Sequence, residues 1–557
     1  MSSLKITACD LRISLLSRGL SGSLALIILA GQAAGQDINW LGGGGLWNDP
    51  TKWEFGNIPS TPSENAILGG DAGYTVTMSN GFSFGALTIS NPGVILEVPP
   101  GVAFTQNGAG LLDGVVFVNS TGANSTATWN FNRTLPGVLP LTGAGTIFLN
   151  ASASNVGTAR LNTVNNTVVS IGAGLTVSGT GTILGRYQLA GDILANDIFG
   201  NSIYLQGVTI TGAGGEIIAD GAPVSIDSWN SGPCSFTGVP MTAVNGGYFN
   251  FVSANGAGAT LTNLTVTGDV VSGFAGNIFL NNSGITGDLF IATNAGVIVS
   301  SPNTTINGDV LINQTAGGST AQLRFDQTGE LLGAGTITLN AAPASIGTAA
   351  LSQNSPTGVT TIGNAWTIRG LGRLFGRIDF AGTISPGTDA PFQHVGQIDN
   401  AGTLNLTPES VVEIDIASPS SFDRITGSGA RNLSDATLVV RFVEGFTPTT
   451  AVAVTILPTG GLVGGQFGEI ITPPGFRAWA VYNPGFPSAP NSVTLTVAPD
   501  CAADLAEPFG LLDLADITAF VAAFAAQDLA ADLAEPFGLL DLSDVVAFVT
   551  SFTAGCP

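Results

Sequence analysis

Gly-Asp followed by apolar residues recurs at Gly268-Asp269, Gly287-Asp288 and Gly308-Asp309, in steps of 19 and 21 residues. That is about what one turn of a parallel β-solenoid needs, and self-similarity on this scale is the mark of such folds. A second phrase appears at Gly143-Ala144-Gly145-Thr146-Ile147, Gly179-Thr180-Gly181-Thr182-Ile183 and Gly333-Ala334-Gly335-Thr336-Ile337, with Gly212-Ala213-Gly214 a weaker relative. Runs such as Leu261-Thr262-Asn263-Leu264-Thr265-Val266 alternate apolar with polar, which turns one face inward. Stacked coils would cover one another's edges and align Asn and Thr in ladders. The expected fold is mainly β, a parallel β-solenoid over residues 36–380, with a jelly-roll or a set of sandwiches as the competing architecture. The aspartates of the Gly-Asp phrase are expected to close turns through Asx hydrogen bonds. Stacked in register, they would form an acidic column.

A solenoid needs a cap at its start. Trp40, Trp47 and Trp53, within 14 residues, could supply it. The same three rings could equally make a platform for stacking sugars, since flat aromatic faces suit pyranose rings. Beyond Gly382-Thr383-Ile384-Ser385-Pro386-Gly387 the alternating runs lengthen, at 411–416, 436–442, 451–457 and 492–497, punctuated by Pro448, Pro473-Pro474 and Pro484. They read as an antiparallel β-domain over 381–498. At the other end, Lys5, Arg12 and Arg18 lead into an apolar stretch at 20–30. Ala33-Ala34-Gly35 then offers a cleavage site. Residues 1–35 are therefore expected to be a signal peptide, and the chain to be secreted, extracellular or surface-associated without membrane insertion.

The 557 residues carry a net charge of −23, with 77 glycines, one histidine and only 10 % charged residues. No basic stripe exists to replace counterions on phosphates, so nucleic acid is excluded as a partner. Divalent cations are the partners such a charge favours. Of four cysteines, Cys9 falls in the leader, Cys501 and Cys556 in the tail, and Cys234 is left over as a buried thiol.

The tail, residues 499–557, contains one unit written twice. Asp504-Leu505-Ala506-Glu507-Pro508-Phe509-Gly510-Leu511-Leu512-Asp513-Leu514-Ala515-Asp516 returns 28 residues later, with Ser543 for Ala515 the only change. Each copy leads into a helical pattern. The expected buried stripes are Leu514, Ile517, Val521 and Phe524, then Leu542, Val545, Val549 and Phe552. Cys501 and Cys556 bracket the pair.

Two resemblances follow. The Trp-rich start, the Gly-Thr-Ile-Ser-Pro-Gly turn, and Glu413-Ile414-Asp415-Ile416 with Phe422-Asp423-Arg424-Ile425 resemble large secreted bacterial β-solenoids with repeats like autotransporter passengers. The tail resembles the Cys-flanked dockerin-like repeat, with Gly555-Cys556 at its end. That likeness implies a small α-helical module of paired calcium loop–helix units, a cohesin-like or other cell-surface protein as partner, and a Cys501–Cys556 disulfide. On the chain-entropy model such a bridge contributes roughly 4 kcal/mol. The implied ligands are Asp504, Glu507, Asp513 and Asp516 in the first loop, with Asp532, Glu535, Asp541 and Asp544 in the second. Gly510, Asp513 and Asp516 fit the later half of an EF-hand-like loop, but Asp504 lies one residue too far out and Pro508-Phe509 occupy ligand places. Two readings stay open: calcium in at least one loop, or loops plugged by Phe509 and Phe537.

Catalytic signals are sparse. Gly81-Phe82-Ser83-Phe84-Gly85 matches a nucleophile elbow, yet no helical pattern follows it, and His394 is the sole imidazole. Arg369, Arg373 and Arg377 with Asp379 form the one basic cluster, read as a solvated turn region. No catalytic residue is assigned. The functional expectation is a non-enzymatic structural or adhesion-type solenoid tethered through its tail. The alternative is a carbohydrate-binding or polysaccharide-degrading component, a lyase or hydrolase, of an extracellular polysaccharide system.

Overall fold

The computed structural model describes residues 35–555, except 134–136, 198–199, 229–231, 254–256, 389–393, 485–488, 508 and 536–537. Gly35 apart, the expected signal peptide lies outside the described residues.

Short alternating runs broken by Gly and Asn become mostly short strands that stack in parallel, commonly three to a coil with each pairing the strand three places further on, and elsewhere merged into longer strands such as Thr176–Leu189 and Gly329–Asn340. In one stretch, Ala259–Thr262, Asn277–Asn281 and Gly296–Val299 stack on one face. Thr265–Thr267, Gly284–Thr286 and Asn303–Asn307 stack on the second. Val270–Ser272, Leu289–Ile291 and Val310–Ile312 stack on the third. The Gly-Asp phrase sits at the corner entering that third face. Gly287 and Gly308 have φ of 145° and 148°, and a Cβ on Gly287 would lie 2.4 Å from the Gly268 carbonyl carbon, so only glycine fits the close approach of coils there. The aspartates do not close their own turns as Asx motifs. Asp269 Oδ1 accepts the Asp288 N–H at 3.2 Å, Asp288 the Asp309 N–H at 2.9 Å, and Asp309 the Thr336 N–H at 2.8 Å, each fastening the next coil.

The interior is a set of columns. Phe249, Val270, Leu289, Val310, Ile337, Ile368, Ile384, Val412, Leu438 and Ile470 are successive register partners. All but the last are buried. Each buried aliphatic side chain contributes about 1.5–3 kcal/mol relative to exposure. That column crosses residue 380 without a break, which corrects the expected domain boundary. Parallel pairing continues to the strand Glu469–Ile471. Among the described residues antiparallel strand pairing is confined to a short hairpin, Val411–Ser418 with Ser421–Phe422, and a three-stranded sheet of Val452–Leu457, Ser492–Pro499 and Phe476–Asn483, apart from isolated bridges such as Trp40 with Trp53. Period-two alternation is common to both sheet senses, so longer runs after 381 carried no information about direction.

Asn ladders run along the outside: Asn107 to Asn132 to Asn165, and Asn263 to Asn282. At the N-terminal end the three tryptophans form the cap and stack onward. Trp40 and Trp47 each meet Trp53 edge-on, at 5.0 and 4.8 Å. Trp47, Phe84, Phe104 and Trp129 then follow at 5.2–5.7 Å.

The tail folds as two helices, α1 (Leu514–Ala526) and α2 (Leu542–Ala554), around a core of its own. Phe520 and Phe548 stack at 4.1 Å between them. The expected stripes are corrected here. Leu514, Ile517 and Val521 are exposed, as are Leu542 and Val549. Only Phe524, Val545 and Phe552 pack against the small core. Both helices are apolar nearly all round, so spacing alone could not say which side faces in. Among the described residues no helix is long and apolar enough to cross a membrane.

Candidate functional site

The two tail loops use their acids on backbone amides. Asp516 accepts N–H groups from Leu505 at 2.7 Å, Ala506 at 2.8 Å and Asp513 at 2.9 Å. Asp544 repeats this with Leu533, Ala534 and Asp541, which hold its carboxyl below the usual range. Asp513 and Asp541 accept the N–H two residues on, completing a reciprocal capping box at each helix start. Asp504 accepts the Gly510 N–H at 2.5 Å, and Asp532 that of Gly538. Burial pushes the Asp504 carboxyl above its ordinary range, opposed by the Gly510 N–H and by Arg477. Glu507 and Glu535 are exposed.

This arrangement does not fit a calcium ion. Calcium takes six to eight oxygens. Here most of the loop carboxylate oxygens meet N–H donors, Asp504 Oδ1 and Asp532 Oδ1 being buried without one, and among the described residues no three acids converge on one point. Phe509 fills a ligand place and packs against Trp479, with ring centroids 6.1 Å apart. Phe537, its counterpart, lies outside the described residues. So does Cys556. Cys501 is buried and engaged, its Sγ 3.9 Å from Ser551 Oγ on the last turns of α2.

Sequence reasoning missed the groups that hold the tail to the sheet. Arg477, on Phe476–Asn483, donates to the Asp504 carbonyl at 2.6 Å and pairs with its carboxylate. Its guanidinium lies 5.7 Å over the Phe509 ring. An isolated Arg on an alternating run gives no sign of such a partner.

On the solenoid, a groove of about 670 Å³ runs along the corner between the first and second faces. Thr242, Thr265, Thr286, Thr305, Asn263 and Asn282 line it, and no lining residue is charged. The tryptophans expected as an alternative sugar platform are not available for one. Trp47 and Trp53 are 0 % and 1 % exposed, Trp40 is 5 %, and their indole N–H groups bind the carbonyls of Pro59, Trp47 and Gly43. They close the solenoid end.

Other ionisable groups are engaged in contacts within the fold. Asp423 is buried and accepts N–H groups from Gly396 at 2.6 Å and Asp415 at 2.9 Å. Arg441 bridges Asp415 at 2.6 Å and Glu413 at 3.1 Å. Burial pushes the Asp423 carboxyl up to about 8 against these N–H bonds. Arg369 and Arg373 lie on the strand Trp366–Phe375 and Arg377 opens Arg377–Phe380, so the basic cluster is strand and not turn. Arg373 pairs with Asp399 at 2.7 Å. Ser83 accepts from Asn107 at 3.0 Å and sits coils away from His394. Cys234 is a free buried thiol, its pKa raised by burial to about 11.

No protein-family model matches the chain. It is similar to the adhesin BmaC autotransporter of Brucella suis biovar 1 (strain 1330), 25 % identical over an alignment of 543 residues. That alignment takes in 78 % of this chain and 15 % of the relative, so the chain spans a small part of the protein it matches. A long parallel sheet and a distant likeness to an autotransporter adhesin agree on a passenger-like β-solenoid.

Proposed function

We propose that this chain is a non-enzymatic, adhesion-type β-solenoid displayed outside the cell and held there by its helical tail. The observation that carries the tethering is the face the tail leaves uncovered. Leu511, Leu514 and Val521 of the first repeat and Leu539, Leu542 and Val549 of the second are all more than half exposed, on a module whose own core is five residues deep. Large apolar side chains exposed in this number on so small a module mark an interaction site. A cell-surface protein of the cohesin type is the partner proposed for it. A Cys501–Cys556 bridge would secure the module, supported by the position of Cys501 against the end of α2. The test is fractionation of source cells producing the full chain or a chain ending at 499. Loss of envelope association on truncation supports the tether, and unchanged association removes it.

The adhesion reading is supported by the distant likeness to an autotransporter adhesin. A specific observation also favours the second reading in its binding form. The groove's hydroxyl and amide lining, free of charge in a chain of −23, suits a neutral glycan. A glycan array with the full chain tests this. Retention of neutral oligosaccharides, lost on replacing Thr265 and Thr286 by bulky Arg, is the expected outcome. Indifference to both substitutions would place any glycan binding elsewhere.

A further inference from the structure

The two tail loops are built alike and used differently. Residues 504–514 and 532–542 are identical, and in both copies the first aspartate binds the N–H of the glycine six residues on. Loop one is covered by the edge strand Phe476–Asn483 of its own chain. Arg477 reaches the Asp504 carboxylate and backbone carbonyl, and Trp479, two residues along and on the same strand face, lies against Phe509 and Gly510. A Cβ placed on Gly510 would touch the Trp479 ring at 3.3 Å. On Gly538 the same atom would meet nothing within 4 Å. The loop-two counterpart therefore keeps the aspartate and the glycine, and among the described residues no strand lies over Gly538.

We propose that loop two, through Asp532 and Gly538, is a receptor for a partner protein's β-strand carrying an arginine followed two residues later by an aromatic side chain. The guanidinium would meet the Asp532 carboxylate and carbonyl, and the aromatic ring would lie over Gly538. Loop one shows that this sequence accepts that chemistry. The charge agrees, because residues 500–557 hold ten carboxylates and neither Lys nor Arg. The exposed Leu539 and Leu542 flank the loop and would add apolar contact to the same partner. A second copy of this chain is the poorer occupant, since its own Arg477 strand already covers its own loop one. The inference rests on the reading of the tail as a docking module and names what one half of it recognises.

The test uses the full chain and a synthetic peptide of residues 475–483, which reproduces the strand loop one holds. Fluorescence anisotropy is expected to show one peptide bound per chain. Affinity should fall about tenfold or more on Asp532→Asn in the protein or Arg→Ala in the peptide, and weaken with salt. Asn keeps an acceptor for the Gly538 N–H, and the peptide variant leaves the protein untouched, so misfolding cannot mimic the result. Failure to bind, or binding indifferent to both changes, overturns the proposal. So does concentration-dependent self-association abolished by Asp532→Asn, which would put a second copy on the loop. Envelope association of the Asp532→Asn chain separates this inference from the tether itself. If that chain stays bound while truncation at 499 releases it, the tail docks through another surface.

Discussion

Asp516 receives three backbone N–H groups from two sides of its loop, and one side chain thereby sets the path of residues 505–513. Removing it leaves buried donors unpaired, each worth about 1–3 kcal/mol. Asp516→Ala is expected to destabilise the tail by about 2–4 kcal/mol, with Asp516→Asn clearly milder, as measured by hydrogen exchange at the Leu505 and Ala506 amides. The residue was visible as an acid in the right place. Its role was not, because a carboxylate that binds metal and one that binds amides have the same letter. Asp423 offers a second test. Its carboxyl is raised to about 8 in the folded chain by burial, so between about pH 4 and 8 the folded chain keeps a proton that the unfolded chain releases. Stability of that corner is therefore highest below about pH 4, falls as pH rises through the interval, and levels off above about 8. Protection of the Gly396 and Asp415 amides, corrected for intrinsic exchange, should follow that slope, and Asp423→Asn should flatten it.

Coil and helix pair show different legibility at the element scale. The corner glycines announced the coil, since Gly287 can carry no side chain against the Gly268 carbonyl. Gly287→Ala is expected to lower thermal stability, by about 1–3 kcal/mol for the backbone strain alone, with losses centred on residues 265–312 in hydrogen exchange. What the pattern could not tell was where coiling stops, because the strands after 381 alternate just as those before do, and partner identity is a long-range property. The helices failed in the opposite way. Ala, Phe, Val and Leu surround α1, and the inward side was decided by the stacking of Phe520 on Phe548 across the duplication. For the loops that precede them, the donor set predicts that a chelator leaves the tail's melting temperature and helix content unchanged. A calcium-dependent rise would contradict that geometry.

The whole molecule is one stack with a latch at its end. The tail touches the sheet through Arg477 and Trp479, and Arg477→Ala is expected to free it. Proteolysis between residues 499 and 513 should then quicken several-fold while the solenoid's own melting is unmoved, since its core does not include that contact. The unbroken column from Phe249 to Ile470 has a mechanical consequence. If the cell holds the tail and a ligand holds the side of the stack, tension enters at the last coil and pulls ladders apart one after another. No single plane bears the whole load. A coil of 19 residues, such as that from Val270 to Leu289, would release about 60 Å of slack as it parts, and longer coils more. Such a chain would behave as a shock absorber, lengthening in steps under flow before its grip at either end is asked to fail.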